Sequence, residues 1–294
     1  MNSPFLTEDG LTGRLLGDAY EDCASDLFRQ FAAALGGEIE ETAGLSRHFT
    51  FPDHFMFRGA WNARLTAENA DAAIEETIAW FKERGAERFG WWTHASTTPH
   101  DIGHRLIRHG FTALYPRDGS LDPDVPTVMQ GPPVMAADLN LIDEAAVSKA
   151  PTGFRVEQAV TEKALEAFRC IVAESYPAVP LVGDAWVEAT RAAGFERAPW
   201  RIYVGWLDGE PVATNVVTEG GGIVGVWNIA TLSTQRGKGI GAAITVAALL
   251  EARAKGYRYA GLFASALGAP VYQRLGFEFT GTRLNRYVWS SGKS

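Results

Sequence analysis

Cysteine is scarce in this chain of 294 residues, which contains only Cys23 and Cys170. Two cysteines so far apart cannot form the disulfide framework of a small secreted protein, so we expect reduced thiols and a cytoplasmic location. Long apolar runs are also missing, since none approaches the roughly 20 residues that span a bilayer. The opening residues show no basic region before an apolar run, so we expect no signal peptide and no membrane partner.

Basic residues are outnumbered in the chain, with 27 Lys and Arg against 35 Asp and Glu and a formal net charge of -8. A protein that binds nucleic acid needs a basic face to neutralise phosphates, so we exclude nucleic acid as the main partner. An acidic chain suits an amine substrate, although most proteins of this charge are only soluble. The length permits two domains that each bury a core.

A glycine-rich loop connects a predicted strand to a predicted helix in the C-terminal half. The apolar run 226–232 predicts the strand, and the helical spacing of apolar residues in 242–255, followed by Gly256, predicts the helix. The loop reads Arg236-Gly237-Lys238-Gly239-Ile240-Gly241. Glycines beside a helix start allow N–H groups to converge on a ligand, and the helix dipole favours an anion there. We therefore predict an anion-binding loop.

Two common glycine loops do not fit this segment. A Walker loop requires Ser or Thr after its Gly-Lys pair, and Lys238 is followed by Gly239. A dinucleotide fingerprint can be placed on Gly237, Gly239 and Ala242, but it needs an acidic residue about 20 positions later. Residues 262–264 at that place carry no carboxylate, which argues against hydride transfer.

The pattern Arg236-x-x-Gly239-x-Gly241 after an apolar strand resembles the pyrophosphate loop of the GNAT superfamily of N-acetyltransferases, whose ligand is acetyl-CoA. A second signature supports the resemblance, which covers residues 155–289. After the apolar strand 259–264, the family's usual form is Asn-x-x-Ala-x-x-Leu-Tyr-x-x-x-Gly-Phe. In this chain Tyr272, Gly276 and Phe277 match that form, while Ser265, Gly268 and Val271 take the places of Asn, Ala and Leu.

The resemblance implies a role for each part of the site. Backbone N–H groups of the loop would hold the pyrophosphate, and Arg236 and Lys238 would add positive charge. The end of the preceding strand would splay from its neighbour, and its amides would stabilise the oxyanion. Tyr272 would be the general acid, because a phenol with a pKa near ~10 stays protonated at neutral pH. The predicted cofactor-binding residues are Ile229, Ala230, Thr231, Leu232, Arg236, Gly237, Lys238, Gly239, Ile240, Gly241, Ala242, Ser265 and Tyr272.

The general base is left open by the sequence. Asn228 lies where many relatives carry a glutamate, and an amide cannot accept the proton. Glu219 and Glu174 are candidate catalytic carboxylates, although such residues are more often ordinary surface groups. A water chain, or capture of the minority free amine, would also serve. For the acceptor pocket we name Trp227, Asn228, Tyr176 and Trp186, while noting that aromatic residues often belong to the core.

The N-terminal half repeats the order of elements of the C-terminal half. Placing Gly85 on Gly256 puts Gly90 on Gly261 without a gap, and the segment ending at Gly110-Phe111 then matches the one ending at Gly276-Phe277. In this register Glu68 takes the place of Gly239, where a carboxylate would repel a pyrophosphate. The N-terminal copy is therefore expected to be degenerate.

We predict an α/β fold with two tandem GNAT-like domains, each a mixed, mostly antiparallel sheet flanked by helices. Residues 1–150 would form the degenerate domain and residues 151–294 the catalytic one. We also expect strand 134–139 to return to the first sheet, and strands 277–279 and 284–289 to close the second.

All six histidines lie in the N-terminal half, and His100 and His104 have the i, i+4 spacing of a zinc-binding helix. However, Gly103 weakens that helix, Pro99 starts it, and the internal repeat already explains the segment. We predict no metal site.

These observations predict an enzyme that transfers an acetyl group from acetyl-CoA to a primary amine of a small molecule in a direct ternary complex. Cys170 falls in the first predicted helix of the catalytic domain, away from the cofactor, so we expect no cysteine nucleophile. A mycothiol-synthase-like acetyltransferase, which also has tandem copies, and a non-catalytic acyl-CoA sensor are the alternatives. We expect a monomer or a homodimer.

Overall fold

The computed structural model describes residues 5–50, 54–55, 57–115, 121–176 and 181–292. Its first part begins with a long helix and continues with short strands and two further helices. These elements are α1 (Arg14–Leu35), β1 (Glu38–Glu41), β2 (Ser46–Phe49), β3 (Arg58–Trp61), α2 (Ala70–Glu83), β4 (Arg88–Thr93), α3 (Ile102–Arg108) and β5 (Phe111–Ala113).

The second part carries longer strands and the helix that follows the glycine loop. Its elements are β6 (Pro133–Asp138), α4 (Ala145–Ser148), β7 (Phe154–Gln158), α5 (Glu162–Ser175), α6 (Leu181–Ala193), β8 (Trp200–Leu207), β9 (Glu210–Gly220), β10 (Ile223–Thr231), α7 (Ile240–Ala254), β11 (Tyr259–Phe263), α8 (Ala269–Arg274), β12 (Glu278–Arg283) and β13 (Asn285–Ser290). The predicted α/β class, with two mixed sheets and flanking helices, is confirmed. No helix in the described ranges is long and apolar enough to cross a membrane.

The chain divides into two compact units, each built from two segments. Unit 1 comprises Met1–Leu27 and Met135–Thr280, and unit 2 comprises Phe28–Val134 and Gly281–Ser294. The units therefore do not follow the single boundary that we predicted at residue 150. Hydrophobic periodicity identifies a strand, but it does not say which sheet the strand joins, because that choice depends on contacts distant in sequence.

Unit 2 contains a sheet of six strands in the order β1-β2-β3-β4-β13-β5. β3 and β4 are parallel, whereas β13 is antiparallel to both of its neighbours. Tyr287 and Trp289 of β13 are buried in a core with Phe89, Trp91 and Phe111. The expectation that this last strand closes the second sheet is therefore wrong, since its alternating aromatic residues complete the core of unit 2.

Unit 1 contains a sheet of seven strands in the order β12-β6-β11-β10-β9-β8-β7. β6 belongs to this sheet, so the prediction that it returns to the first sheet is wrong. The hairpin from β8 to β9 turns through Asp208 and Gly209, as predicted, and both residues have positive φ, at 52° and 90°.

Helix α7 is apolar on nearly all sides because it lies in the core of unit 1. Its residues Ile244 and Leu249 pack with Val224 and Val226 of β10 and with Leu262 of β11. Buried apolar side chains of this size each stabilise the fold by about 1.5–3 kcal/mol. The core therefore fixes α7 against the strand that precedes it, and with it the loop between them.

Candidate active site

The parallel strands β10 and β11 separate toward their carboxyl ends. Their pairing is found at Val224 with Ala260 and at Gly225 with Gly261, and no further pair occurs in the described residues. β10 nevertheless continues to Thr231. The backbone groups at the end of β10 that face β11 therefore form no ladder with it. The resemblance implied such a separation of the two strands.

A β-bulge interrupts the pairing of β10 with β9 at the same place. Trp227 opposes Val216 and Ala230 opposes Thr214, so two residues of β10 lie opposite Asn215 alone. The first of them, Asn228, has a φ of 47°. Asparagine enters this left-handed region more readily than most side chains, and a residue there turns the following backbone.

Three side chains bond to the backbone or side chain of the bulge. The Trp186 indole donates to the Asn228 amide oxygen at 2.8 Å, and the Thr214 hydroxyl donates to the Asn228 carbonyl at 2.8 Å. The Tyr176 hydroxyl donates to the carbonyl of Ile229 at 2.8 Å. Thr214 was not predicted, because a single threonine within a strand carries no distinguishing sequence signal.

The four predicted acceptor-pocket residues therefore have different positions. Trp186 is only 2% exposed and Trp227 only 5%, so both are core side chains and do not line an open pocket. The Trp227 indole donates to Thr218 at 2.8 Å, and its ring stacks on Tyr20 of α1 at 5.5 Å. The prediction that they line the acceptor pocket is wrong for these two tryptophans, because their side chains pack in the core. Tyr176 is partly buried and reaches the bulge.

The amides predicted to stabilise the oxyanion do not all face the same way. Leu232 donates its N–H to the carbonyl of Val212 on β9 at 3.0 Å. Regular antiparallel pairing resumes at Ala230, and backbone groups alternate there, so Ala230 also faces β9 and Thr231 faces away. Inside the bulge, the Ile229 carbonyl accepts the Tyr176 hydroxyl and so also faces away from β9. Leu232 and Ala230 are therefore corrected to ladder residues, and the oxyanion role of Thr231 and Ile229 stays a prediction.

The loop before α7 presents free backbone donors. Gly237 and Gly239 have φ of 77° and 79°, in the left-handed region that glycine adopts without strain. The first helical bond runs from the N–H of Ala243 to the carbonyl of Gly239 at 3.0 Å. The preceding four N–H groups, from Gly239 to Ala242, have no acceptor among the described residues. This helix start can hold an anion.

Positive charge lies beside these donors. Arg236 donates through Nε to the Thr231 carbonyl at 3.1 Å, and Lys238 donates through Nζ to the Gln235 amide oxygen at 2.7 Å. Both cations are exposed, and neither forms an ion pair within the described part of the chain. Their partners are neutral, so the charge remains available to an anionic ligand.

The Tyr272 ring lies on α8, packed over Gly268 and 5.9 Å from the Phe277 ring. A Cβ at Gly268 would lie only 2.8 Å from the Tyr272 ring, which explains why glycine replaces the usual alanine there. Burial raises the pKa of the Tyr272 phenol above its ordinary value, and the nearby Tyr176 phenol raises it further. Tyr272 is therefore a neutral proton donor at physiological pH.

Ser265 has a structural role at the start of α8. Its hydroxyl accepts the N–H of Gly268 at 3.1 Å, and its carbonyl accepts the N–H of Ala269 at 2.9 Å. These bonds shape the turn into α8. The contact of Ser265 with the pantetheine arm of acetyl-CoA stays a prediction.

Glu219 lies at the wrong end of the site to be the general base. It accepts the hydroxyl of Tyr257 at 3.1 Å and lies 3.7 Å from the Lys255 amine, and both of these residues follow the C-terminus of α7. The loop lies at the N-terminus of α7, and a helix of 15 residues is about 22 Å long. The prediction for Glu219 is wrong, because sequence position did not show which end of β9 meets the bulge.

Glu174 remains a possible base by position. It is exposed near the end of α5, two residues before Tyr176. The Tyr176 hydroxyl contacts the bulge. Glu174 is linked to the bulge only by its closeness in sequence to Tyr176. Its catalytic role stays a prediction.

The corresponding part of unit 2 is closed. β3 and β4 pair at Gly59 with Gly90, and beyond this pairing a parallel bridge joins Arg64 to Thr98. The N–H of Leu65 donates to the carbonyl of Thr98 at 3.2 Å across the bridge. Beyond the ends of β3 and β4, backbone bonds therefore join the two chain segments of unit 2, whereas no such pairing continues between β10 and β11 in the described part of unit 1.

The turn before α2 is closed by hydrogen bonds between its own residues. The N–H of Thr66 donates to the Asn69 side chain at 2.8 Å, and the N–H of Asn69 donates to the Thr66 hydroxyl at 3.3 Å. Glu68 is exposed beside them, and the hydrogen bond of the Thr66 hydroxyl lowers the pKa of Glu68. Because a carboxylate repels a phosphate group, this segment before α2 does not suit a pyrophosphate.

No metal-binding cluster of three or more His, Cys, Asp or Glu residues is found in the described residues. His100 lies before α3, and His104 lies within it. A Cβ added at Gly103 would lie 2.2 Å from the Tyr287 hydroxyl, so packing accounts for the glycine between the two histidines.

Comparison with known proteins places the site in context. Residues 198–279 match the family model described as the acetyltransferase (GNAT) domain. This range includes β10, the loop, α7, β11 and α8. The search of functionally curated proteins gives no significant match.

Solved structures share the fold over nearly the whole chain. A GCN5-related N-acetyltransferase from Kribbella flavida is 20% identical, with a TM-score of 0.68 over 92% of this chain and 95% of that one. A GCN5-related N-acetyltransferase from Sphaerobacter thermophilus is 15% identical, with a TM-score of 0.57 over 94% and 91%. A tandem GNAT protein from the clavulanic acid biosynthesis pathway is 12% identical, with a TM-score of 0.56 over 95% of both chains.

Proposed function

We propose that the protein transfers an acetyl group from acetyl-CoA directly to a primary amine of a small molecule, because residues 198–279 match the family model of the acetyltransferase (GNAT) domain. One observation carries the proposal: free N–H groups from Gly239 to Ala242 open α7 next to the bulge of β10. Anion-binding donors and oxyanion-stabilising donors are thus supplied by one continuous segment.

The loop supplies the binding energy for coenzyme A. The N–H groups at the start of α7 bond the pyrophosphate oxygens, and the helix dipole favours their negative charge. Arg236 and Lys238 add charge-assisted hydrogen bonds, which are roughly twice as strong as neutral ones. The exposed position of both cations lets the ligand enter from solvent.

The reaction forms a C–N bond and breaks the C–S bond of the thioester. The N–H groups of Ile229 and Thr231 stabilise the negative charge that develops on the carbonyl oxygen. Tyr272 gives its proton to the departing thiolate. The proton released by the amine goes to water, or to Glu174 if that carboxylate turns toward the acceptor.

A direct transfer needs no cysteine, and the thiols of this chain support that route. Burial raises the pKa of Cys23 to about 12, so its thiolate is rare at neutral pH. Partial desolvation and the neighbouring Glu166 raise the pKa of Cys170 on α5. Because both are free cysteines, a cytoplasmic location is part of the proposal.

The alternative is a sensor that binds acyl-CoA without turnover. It is favoured by Asn228 at the place of the usual glutamate and by the remote position of Glu219. Such a protein would keep the loop and lose the proton acceptor.

Thiol release from acetyl-CoA, measured against a panel of small amines, tests the proposal. We expect at least one amine to raise thiol release above the rate of acetyl-CoA hydrolysis. We expect Tyr272→Phe to reduce this amine-dependent rate. Calorimetric binding of acetyl-CoA with no amine-dependent thiol release would favour the sensor, and absence of binding would overturn both.

A further inference from the structure

A buried indole donates a hydrogen bond to the bulge in β10. Trp186 of α6 is 2% exposed, and its Nε1 lies 2.8 Å from the Asn228 amide oxygen. Its ring meets the ring of Trp200 edge-on at 5.6 Å, which fixes the direction of the N–H. The donor is therefore rigid, and the position of the Asn228 side chain follows from it.

We propose that Trp186 is a positioning residue, which holds Asn228 in the left-handed conformation and so aims the N–H groups of Ile229 and Thr231 at the thioester carbonyl. This inference rests on the proposed function, because it concerns the same oxyanion. It assigns Trp186 and Asn228 to the alignment of the strand instead of to the acceptor pocket.

The physical reason lies in the period of a strand. Successive residues of a strand face opposite sides, so a shift of one residue exchanges the two sides for every residue that follows. The extra residue at Asn228 makes such a shift in β10. If the bulge relaxed to regular pairing, Ile229 and Thr231 would turn their backbone groups toward β9 and away from the ligand space.

The left-handed conformation of Asn228 needs support. A residue other than glycine loses stability in this region. The bonds from Trp186 to the side chain and from the Thr214 hydroxyl to the carbonyl offset that loss. Removal of the indole N–H takes this donor away from the Asn228 amide oxygen, so we expect the population of the bulged state to fall.

The test removes the indole N–H of Trp186 and compares that variant with one in which another buried tryptophan is replaced in the same way. Trp186→Phe removes the donor and keeps an aromatic ring. Trp80→Phe is the control, because Trp80 of unit 2 is also buried, at 7% exposed, and its Nε1 donates to the Glu40 carboxylate at 3.1 Å. We expect Trp186→Phe to lower kcat by about 10-fold to 100-fold, since a displacement of about 1 Å can reduce a rate 100-fold.

The binding of acetyl-CoA separates alignment from general loss of structure. We expect the Kd of acetyl-CoA to change less than twofold in Trp186→Phe, because the loop is untouched. We expect Trp80→Phe to keep the parental kcat while its Tm falls by a similar amount. Equal kcat values for the two variants would overturn the inference, as would a kcat loss in Trp186→Phe that only follows a loss of folded protein.

A double-mutant cycle tests whether Trp186 acts through Asn228. Asn228→Gly permits the positive φ but lacks the amide acceptor. We expect each single variant to lower kcat. We expect the kcat of the double variant to be no lower than that of the slower single variant. Multiplicative losses would show that the two residues act independently, which would overturn the inference.

A readout that needs no acceptor separates this inference from the proposed function. Acetyl-CoA labelled with carbon-13 at the thioester carbonyl reports hydrogen bonds to that oxygen through its chemical shift. We expect the bound signal to move from its free position in the parent and in Trp80→Phe, and to return toward the free position in Trp186→Phe. If the parent shows the shift but acetylates no amine, the proposed function fails and the inference stands. An identical shift in parent and Trp186→Phe would overturn the inference.

Discussion

Tyr176 and Ile229 are joined by a hydrogen bond of 2.8 Å, in which the phenol at the end of α5 donates to a carbonyl inside the bulge of β10. The proton of Tyr176 is therefore committed to the backbone. The hydroxyl of nearby Tyr272 has no hydrogen-bond partner among the described residues. The two phenols have different roles, since Tyr176 supports the bulge and Tyr272 can give up its proton.

Replacement of Tyr272 by Phe should lower kcat and leave the affinity for acetyl-CoA unchanged. General acid catalysis contributes about 100-fold to 10,000-fold, so we expect a loss of at least 100-fold in steady-state thiol release. Tyr203→Phe is the control, because Tyr203 is a buried phenol that bonds Glu251 at 2.7 Å in the core. If both variants keep the parental kcat, Tyr272 is not the acid.

The pH profile should have no falling limb that belongs to Tyr272 below pH of about 10. Burial raises the pKa of this phenol, so its protonated form is retained as the pH rises above neutrality. We expect kcat/KM to rise with pH as the acceptor amine loses its proton. A falling limb between pH of about 8 and 9 that disappears in Tyr272→Phe would contradict this account.

Replacement of Gly237 by Ala should weaken acetyl-CoA binding by about tenfold, because a side chain in the left-handed region distorts the loop. Gly209→Ala is a matched control. The two glycines have φ of 77° and 90°, and a Cβ at either would meet no atom within 4 Å. We expect similar losses of Tm in both variants and a change in calorimetric Kd only for Gly237→Ala. Equal Kd values would show that the loop does not bind the ligand.

The stability of the protein should fall as the pH drops through the range in which His54 is protonated in the unfolded chain. Burial, with the positive charges of Arg286 and Arg88, lowers the pKa of His54 from 6.5 to about 4 in the folded state. The unfolded chain binds the proton first, so stability is complete above pH of about 6.5 and is lost toward pH 4.

We expect a loss of about 2 kcal/mol at pH 5 relative to pH 8 from His54 alone. Thermal unfolding of the parent and of His54→Gln at both pH values measures it. The difference in Tm between the two pH values should be smaller in His54→Gln, whereas exposed His100→Gln should behave as the parent. The same pH dependence in all three proteins would rule out His54 as its source.

The sequence was sufficient for features that depend on neighbours in the chain. The loop from Arg236 to Gly241 and the segment around Tyr272 were found because glycine positions and helix starts are local signals. The capping threonine of α5, Thr161, is another local feature, and its hydroxyl accepts the N–H of Ala164 at 3.3 Å. Local chemistry therefore located the site.

Features that depend on distant contacts could not be predicted. β13 reads as an ordinary alternating strand, and nothing in its residues tells which sheet it completes. The bond from Trp186 to Asn228 joins residues 42 positions apart. Glu219 was misjudged for the same reason, since its place on β9 was known but the end of the sheet that holds the bulge was not. Sequence patterns gave the residues of the site, and tertiary contacts decided their roles.

Calorimetric titration of the full chain with acetyl-CoA tests the central claim most directly, when the parent is compared with Gly241→Glu. A glutamate at the start of α7 suits the helix dipole, so folding should be retained while the carboxylate repels the pyrophosphate. The account predicts one acetyl-CoA per chain in the parent and no measurable binding in the folded variant. Two sites per chain, no heat in the parent, or equal affinity in Gly241→Glu would contradict it.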